Sequence, residues 1–85
     1  MWSDLVGDAE SLAKIDADDE SSDLEIGLAW AVLAARLELA GLSAHEAELF
    51  ARELEQIAND TFGPVKRFAL EQAIAKRFSP AVKRH

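Results

Sequence analysis

Ten consecutive residues without a charged side chain, residues 26–35, lie near the middle of the chain. Gly27 is the one poor helix former there, so the pattern predicts a helix from Leu24 to Ala40 that is apolar on every side for nearly three turns. Such a helix needs neighbours on all sides, and 85 residues leave few. Two interpretations stay open: a central helix in a compact monomer, or a surface that an oligomer or partner buries.

The segment Gly41-Leu42-Ser43 contains the strongest local signals in the chain. Gly41 favours the end of the second helix, because glycine readily adopts the left-handed conformation that follows many helices. Ser43 and Glu46 match a capping box, and Leu42 is placed to contact both the preceding turn and Ala47. These residues predict a tight corner between two helices, either a helix-turn-helix or an antiparallel helical hairpin.

The remaining apolar spacing predicts an all-α fold, a small bundle of three to four helices around that central hairpin. A short first helix is expected over residues 1–15, capped by Ser3. The third helix, residues 44–59, is amphipathic, and Glu48 and Arg52 form a favourable i,i+4 pair. Pro64 starts a fourth helix that ends at Phe78. Its apolar residues lie on two different sides, so we expect this helix to contact both the core of its own chain and a second molecule.

The length predicts a single domain, residues 1–85, without disulfides because the chain has no Cys. The three-helix core spans residues 24–78, and a basic tail follows at 79–85. Residues 16–23 contain five acidic side chains and no large apolar one, which is typical of a solvated linker. A calcium-binding loop is the more specific alternative for this segment, but the glycine and the final glutamate that such a loop requires are both missing.

The net charge of −7 is divided unevenly along the sequence. Residues 1–60 hold 15 acidic and three basic side chains, a balance of −12, whereas residues 61–85 hold six basic side chains and one acidic, a balance of +5. Three arrangements follow from this division. The opposite charges pair within one chain, they join two subunits head to tail, or they present separate faces to different partners.

The basic C-terminal segment is a candidate for contact with nucleic acid. The alternative is that these bases complement the end of the fourth helix or pair with acids. A DNA-reading corner at Gly41 is disfavoured, because the helix after it carries four glutamates against one arginine and would be repelled by phosphates. The side chains placed for possible phosphate contact are Lys66, Lys76, Arg77, Lys83 and Arg84.

Catalysis finds little support, and we expect a protein that is not an enzyme and uses no cofactor or metal. The histidines are His45, in the first turn of the third helix, and His85 at the last position. The carboxylates are spread over the linker and solvent faces, so no pair is expected to hold a raised pKa. Glycines do not cluster into a phosphate-binding loop.

The favoured function is a small acidic protein–protein interaction module that self-associates and acts as an adaptor or regulator. Abundant alanine and the lack of a leader or membrane-spanning run suggest a bacterial or phage cytoplasm. A nucleic-acid-binding regulator, or an acidic inhibitor that mimics nucleic acid towards a basic enzyme, are the alternatives. The residues expected to bind a protein partner are Trp30, Leu33, Leu37, Phe68 and Phe78.

Overall fold

The computed structural model describes residues 2–78 as four α-helices with no strand between them. This confirms the predicted all-α bundle. The first helix continues two residues beyond the predicted end, and Ser3 lies within it, so the prediction that Ser3 caps this helix is wrong. The tail at 79–85 lies outside the described residues. The helices are α1 Trp2–Ala17, α2 Asp23–Leu39, α3 Ala44–Asp60 and α4 Pro64–Phe78.

The corner between α2 and α3 has the predicted construction. Gly41 adopts a φ of 118°, and its N–H donates to the Glu38 carbonyl at 3.0 Å. The Leu42 N–H donates to the Leu37 carbonyl at 3.2 Å, which completes the paired bonds of a Schellman motif. Ser43 and Glu46 then form the capping box, with each side chain accepting from the other's backbone N–H. These bonds satisfy four backbone N–H groups at the corner and the carbonyls of Leu37 and Glu38.

The start of α2 is fixed by a second capping box, formed by Ser22 and Glu25. The Ser22 hydroxyl accepts from the Glu25 N–H at 3.2 Å, and the Ser22 N–H donates to Glu25 Oε1 at 2.9 Å. The signature of a Ser followed three residues later by Glu is present in the sequence. The acidic linker is therefore shorter than predicted, because α1 reaches Ala17 and α2 begins at Asp23.

The helices α1 and α3 form the middle of the bundle, since each packs against all three other helices. α2 and α4 pack mainly on α1 and α3, and therefore lie on opposite sides of that central pair. α1 provides five of the fifteen buried apolar residues in the described chain, whereas α2 provides only Leu33 and Leu37. The interpretation of α2 as an enclosed central helix is therefore wrong, because α2 lies at the edge of the bundle.

The other two helices distribute their apolar residues as expected. α3 buries one stripe against the core and holds the predicted Glu48–Arg52 pair at 3.3 Å. α4 buries Leu70 and Ile74 and leaves its second apolar direction facing away from the core. Among residues 2–78, none of the helices has the length and continuous apolar character that crossing a lipid bilayer requires. The stripe that α3 buries consists of Ala47, Phe50, Ala51, Leu54 and Ala58.

Candidate interaction surface

The helix α2 has two apolar faces on opposite sides. Leu33 and Leu37 point into the core and are fully buried. Four larger side chains point the other way and remain about half to nine-tenths exposed: Leu24 at 71%, Leu28 at 58%, Val32 at 48% and Leu39 at 88%. At 100° per residue, these four occupy roughly 80° of the helix circumference, centred opposite the core. We call this surface the outer α2 face, which consists of Leu24, Leu28, Ala31, Val32, Ala35 and Leu39.

The charged residues of α2 lie along the borders of this face and not within it. Arg36 is directed to α1, where its guanidinium pairs with Asp8 and lies 3.5 Å from Asp4 Oδ2. Glu25 and Glu38 are exposed on either border. α2 as a whole carries three acidic side chains and one basic, a balance of −2. The outer α2 face is therefore an apolar stripe with acidic borders.

A shallow groove between α2 and α3 continues this face around the helix. Small residues and Trp30 line it, together with Glu48 and Arg52. The Arg52 guanidinium lies 6.0 Å from the centre of the Trp30 ring, at the outer limit of a cation–π contact, and also pairs with Glu48. Trp30 is half-buried against the core, so it is partly structural. The small residues that line the groove are Gly27, Ala31, Ala34 and Ala44.

A second exposed apolar surface lies at the start of α4. Phe62 is 79% exposed, Val65 59% and Phe68 61%, and we call these three residues the α4 face. Lys66 and Lys76 lie on the same helix, and within residues 2–78 neither forms an ion pair. α4 carries four basic side chains and one acidic, a balance of +3. The α4 face is thus an apolar surface on a basic helix.

Two of the arginines of α4 are already paired within the chain. Arg67 Nη1 lies 3.4 Å from Glu10 Oε1 on α1, and Arg77 Nη2 lies 3.6 Å from Glu46 Oε2 on α3. The basic C-terminal part and the acidic part of the sequence are therefore partly paired within the chain. The predicted phosphate contacts Lys83 and Arg84 lie outside the described residues.

The structure corrects the expectation that no carboxylate pair has a raised pKa. Glu55 on α3 is half-buried beside Asp16, at the end of α1. Burial and the hydrogen bond and negative charge of Asp16 raise the pKa of Glu55 to about 7, although Arg52 opposes the shift. At Glu46 the pKa is lowered instead, chiefly because the Ser43 backbone N–H donates to its carboxylate. On the same helix, a backbone hydrogen bond therefore lowers the pKa of Glu46, whereas burial raises the pKa of Glu55.

The predicted partner-binding residues divide between the core and the surface. Leu33 and Leu37 are buried in the core of their own chain, where no partner reaches them, and Trp30 is half-buried. Phe68 is exposed, whereas Phe78 packs edge-on against Phe50 with the ring centres 6.1 Å apart. The exposed residues missed on α2 are Leu24, Leu28, Val32 and Leu39. In the sequence they form an apolar stripe at spacings of four and seven, on the side of the helix opposite Leu33.

His45 is exposed in the first turn of α3, and within residues 2–78 no three acidic or histidine side chains converge as metal ligands. In comparisons with known proteins, no family model, curated protein or solved structure matches this chain. A proposal for its function therefore rests on the chemistry of its surfaces.

Proposed function

We propose that the protein is a non-enzymatic interaction module that self-associates through the outer α2 face. One observation carries the proposal: Leu24, Leu28, Val32 and Leu39 are all largely exposed along a single stripe of α2. Isolated exposed leucines are normal on soluble proteins, but a continuous apolar stripe is typical of a surface that another molecule covers.

The energetics favour burial of this face. Moving a fully exposed Leu or Val side chain out of water stabilises an interface by about 1.5 to 3 kcal/mol. At the observed exposures, the four side chains together offer about 5 kcal/mol on one side of an interface before the partner's residues are counted. Association opposes this with about 4 kcal/mol or more of lost freedom. A second apolar surface of similar size is therefore needed, and another copy of the chain provides one.

The shape of the face also suits a helix as its occupant. Ala31 and Ala35 lie between the larger residues, so the backbone of a second helix can approach closely, and the groove beside Trp30 accommodates side chains from it. Helices that bind in apolar grooves use anchors at spacings of three, four and seven residues. The exposed apolar residues of this chain follow that spacing.

In this proposal the protein acts as an adaptor or regulator, and its setting is a bacterial or phage cytoplasm. Its lack of Cys suits a reducing compartment, and its abundant alanine suits a bacterial coding sequence. A nucleic-acid-binding role has less support, because Arg67 and Arg77 are paired with acids of the same chain. An acidic mimic of nucleic acid also has less, since Glu46 and Glu48 are paired as well.

Light scattering on the intact chain, with size-exclusion separation, tests the proposal. Leu28→Glu places a charge in the centre of the outer α2 face, and Leu49→Glu is its matched control, because Leu49 is 54% exposed on α3 outside that face. We expect the parent chain and Leu49→Glu to associate as concentration rises, and Leu28→Glu to remain monomeric with unchanged helix content. A parent chain that stays monomeric throughout, or equal association of Leu28→Glu and the parent, would contradict the proposal.

A further inference from the structure

The two exposed apolar faces of the chain match each other in charge. The outer α2 face has acidic borders at Glu25 and Glu38, on a helix with a balance of −2. The α4 face lies on a helix with a balance of +3, and its unpaired lysines are Lys66 and Lys76. Two outer α2 faces brought together would place glutamates of the same sign near each other. An outer α2 face against an α4 face would instead join opposite charges around an apolar contact.

We propose, building on the self-association above, that the outer α2 face of one copy binds the α4 face of the next. The apolar stripe of α2 rises about 22 Å from Leu24 to Leu39 at 1.5 Å per residue. On α4, Val65 and Phe68 lie within about 5 Å along the axis, and Lys76 lies about 16 Å from Val65, so the apolar pair and its lysine fit within the length of the α2 stripe. The lysines of α4 then lie near the glutamates at the borders of α2. The apolar centre is formed by Leu28 and Val32 against Val65 and Phe68.

The positions of the two faces determine which kind of assembly this contact forms. α2 and α4 lie on opposite sides of the central α1 and α3 pair, and their exposed faces point away from that pair. A contact between unlike faces is heterologous, so each copy still offers one free face after it binds a neighbour. Association therefore continues beyond a dimer, as a chain of copies or a closed ring.

A mixing experiment tests this pairing directly. Leu28→Glu blocks the outer α2 face and keeps the α4 face intact, whereas Phe68→Glu does the reverse. Both side chains are more than half exposed, so the variants should fold, and Val65→Glu replaces Phe68→Glu if it does not. Sedimentation equilibrium of each variant alone should give one chain of 9.3 kDa. The equimolar mixture should give a discrete complex of twice that mass. This complex cannot grow, because the two faces left free in it are the ones that carry the introduced glutamates.

The outcomes separate this inference from the function on which it rests. If Phe68→Glu associates as well as the parent while Leu28→Glu does not, the outer α2 face binds its own equivalent, and the pairing with α4 is overturned although self-association stands. If Leu28→Glu associates as the parent does, both proposals fail. If each variant is monomeric and the mixture is monomeric too, the two blocked faces do not complement each other, and the pairing is again overturned. Leu49→Glu should assemble like the parent in every experiment.

Discussion

Replacing Glu55 with glutamine should make the folded protein more stable at alkaline pH and leave it almost unchanged at acidic pH. Glu55 is half-buried beside Asp16, and its pKa is raised to about 7 from an ordinary 4.5. The folded state therefore holds a proton on this pair that the unfolded chain releases. Glutamine is neutral at every pH and keeps a donor that can bond to Asp16, so it reproduces the protonated state.

The sign and the size of the effect follow from the pKa. Because the folded pKa is raised, the contribution of Glu55 to stability is complete below about pH 4.5 and is lost as the pH rises towards about 7. The difference between these pKa values corresponds to roughly 3 kcal/mol at full strength. Solvent screening at this partly exposed site reduces the expected loss to about 1 kcal/mol. Glu55→Gln removes that loss, so the free energy of unfolding should rise by about 1 kcal/mol above pH 7.

Urea unfolding followed by circular dichroism measures this difference at fixed protein concentration, at about pH 5 and about pH 8. Glu53→Gln is the matched control, because Glu53 is exposed on the same helix, and it removes one negative charge in the same way. The control accounts for relief of the general repulsion in an acidic chain. Equal gains for Glu55→Gln and Glu53→Gln at pH 8, or an equal gain for Glu55→Gln at both pH values, would refute the account of the acidic pair.

Two further pairs of substitutions test the fold by urea unfolding at one pH. Gly41→Ala should lower the free energy of unfolding by about 1 to 2 kcal/mol, because φ is 118° there, whereas Gly27→Ala, in an open helical position, should raise it by about 0.5 to 1 kcal/mol. Leu33→Ala should destabilise by about 2 to 5 kcal/mol, because it leaves a cavity in the core. Leu28→Ala, on the exposed side of the same helix, should change the stability of the dissociated chain by less than about 0.5 kcal/mol. Similar losses for the two leucines would contradict the assignment of inner and outer faces.

Local signals in the sequence were sufficient for the corner between α2 and α3, but not for α1, which includes its predicted cap Ser3 and ends two residues late. The corner at Gly41 was predicted in detail, because the Schellman motif and the capping box involve residues a few positions apart. The capping box at Ser22 and Glu25 has the same signature, and it begins within residues 16–23, which were predicted to form one acidic linker. Local chemistry fixes where helices start and stop, whatever they pack against.

The direction in which α2 faces could not be derived from the sequence. Leu33 and Leu37 form one stripe and Leu24 and Leu28 another, and both are strongly apolar. Which stripe enters the core depends on how α1 docks, including the contact of Arg36 with Asp8. The proximity of Asp16 and Glu55 has the same origin, because it joins the end of α1 to the middle of α3. Such contacts depend on tertiary packing, which periodicity does not encode.

The most direct test of the central claim is to measure whether a thiol at position 28 is protected when the protein is concentrated. The chain contains no Cys, so Leu28→Cys and Leu49→Cys each introduce a single reactive thiol, on the outer α2 face and on α3 respectively. The rate of modification by a maleimide is measured at low and at high protein concentration. Self-association through the outer α2 face predicts that the thiol of Leu28→Cys reacts more slowly at high concentration while that of Leu49→Cys does not. Equal rates for Leu28→Cys at both concentrations would contradict the claim.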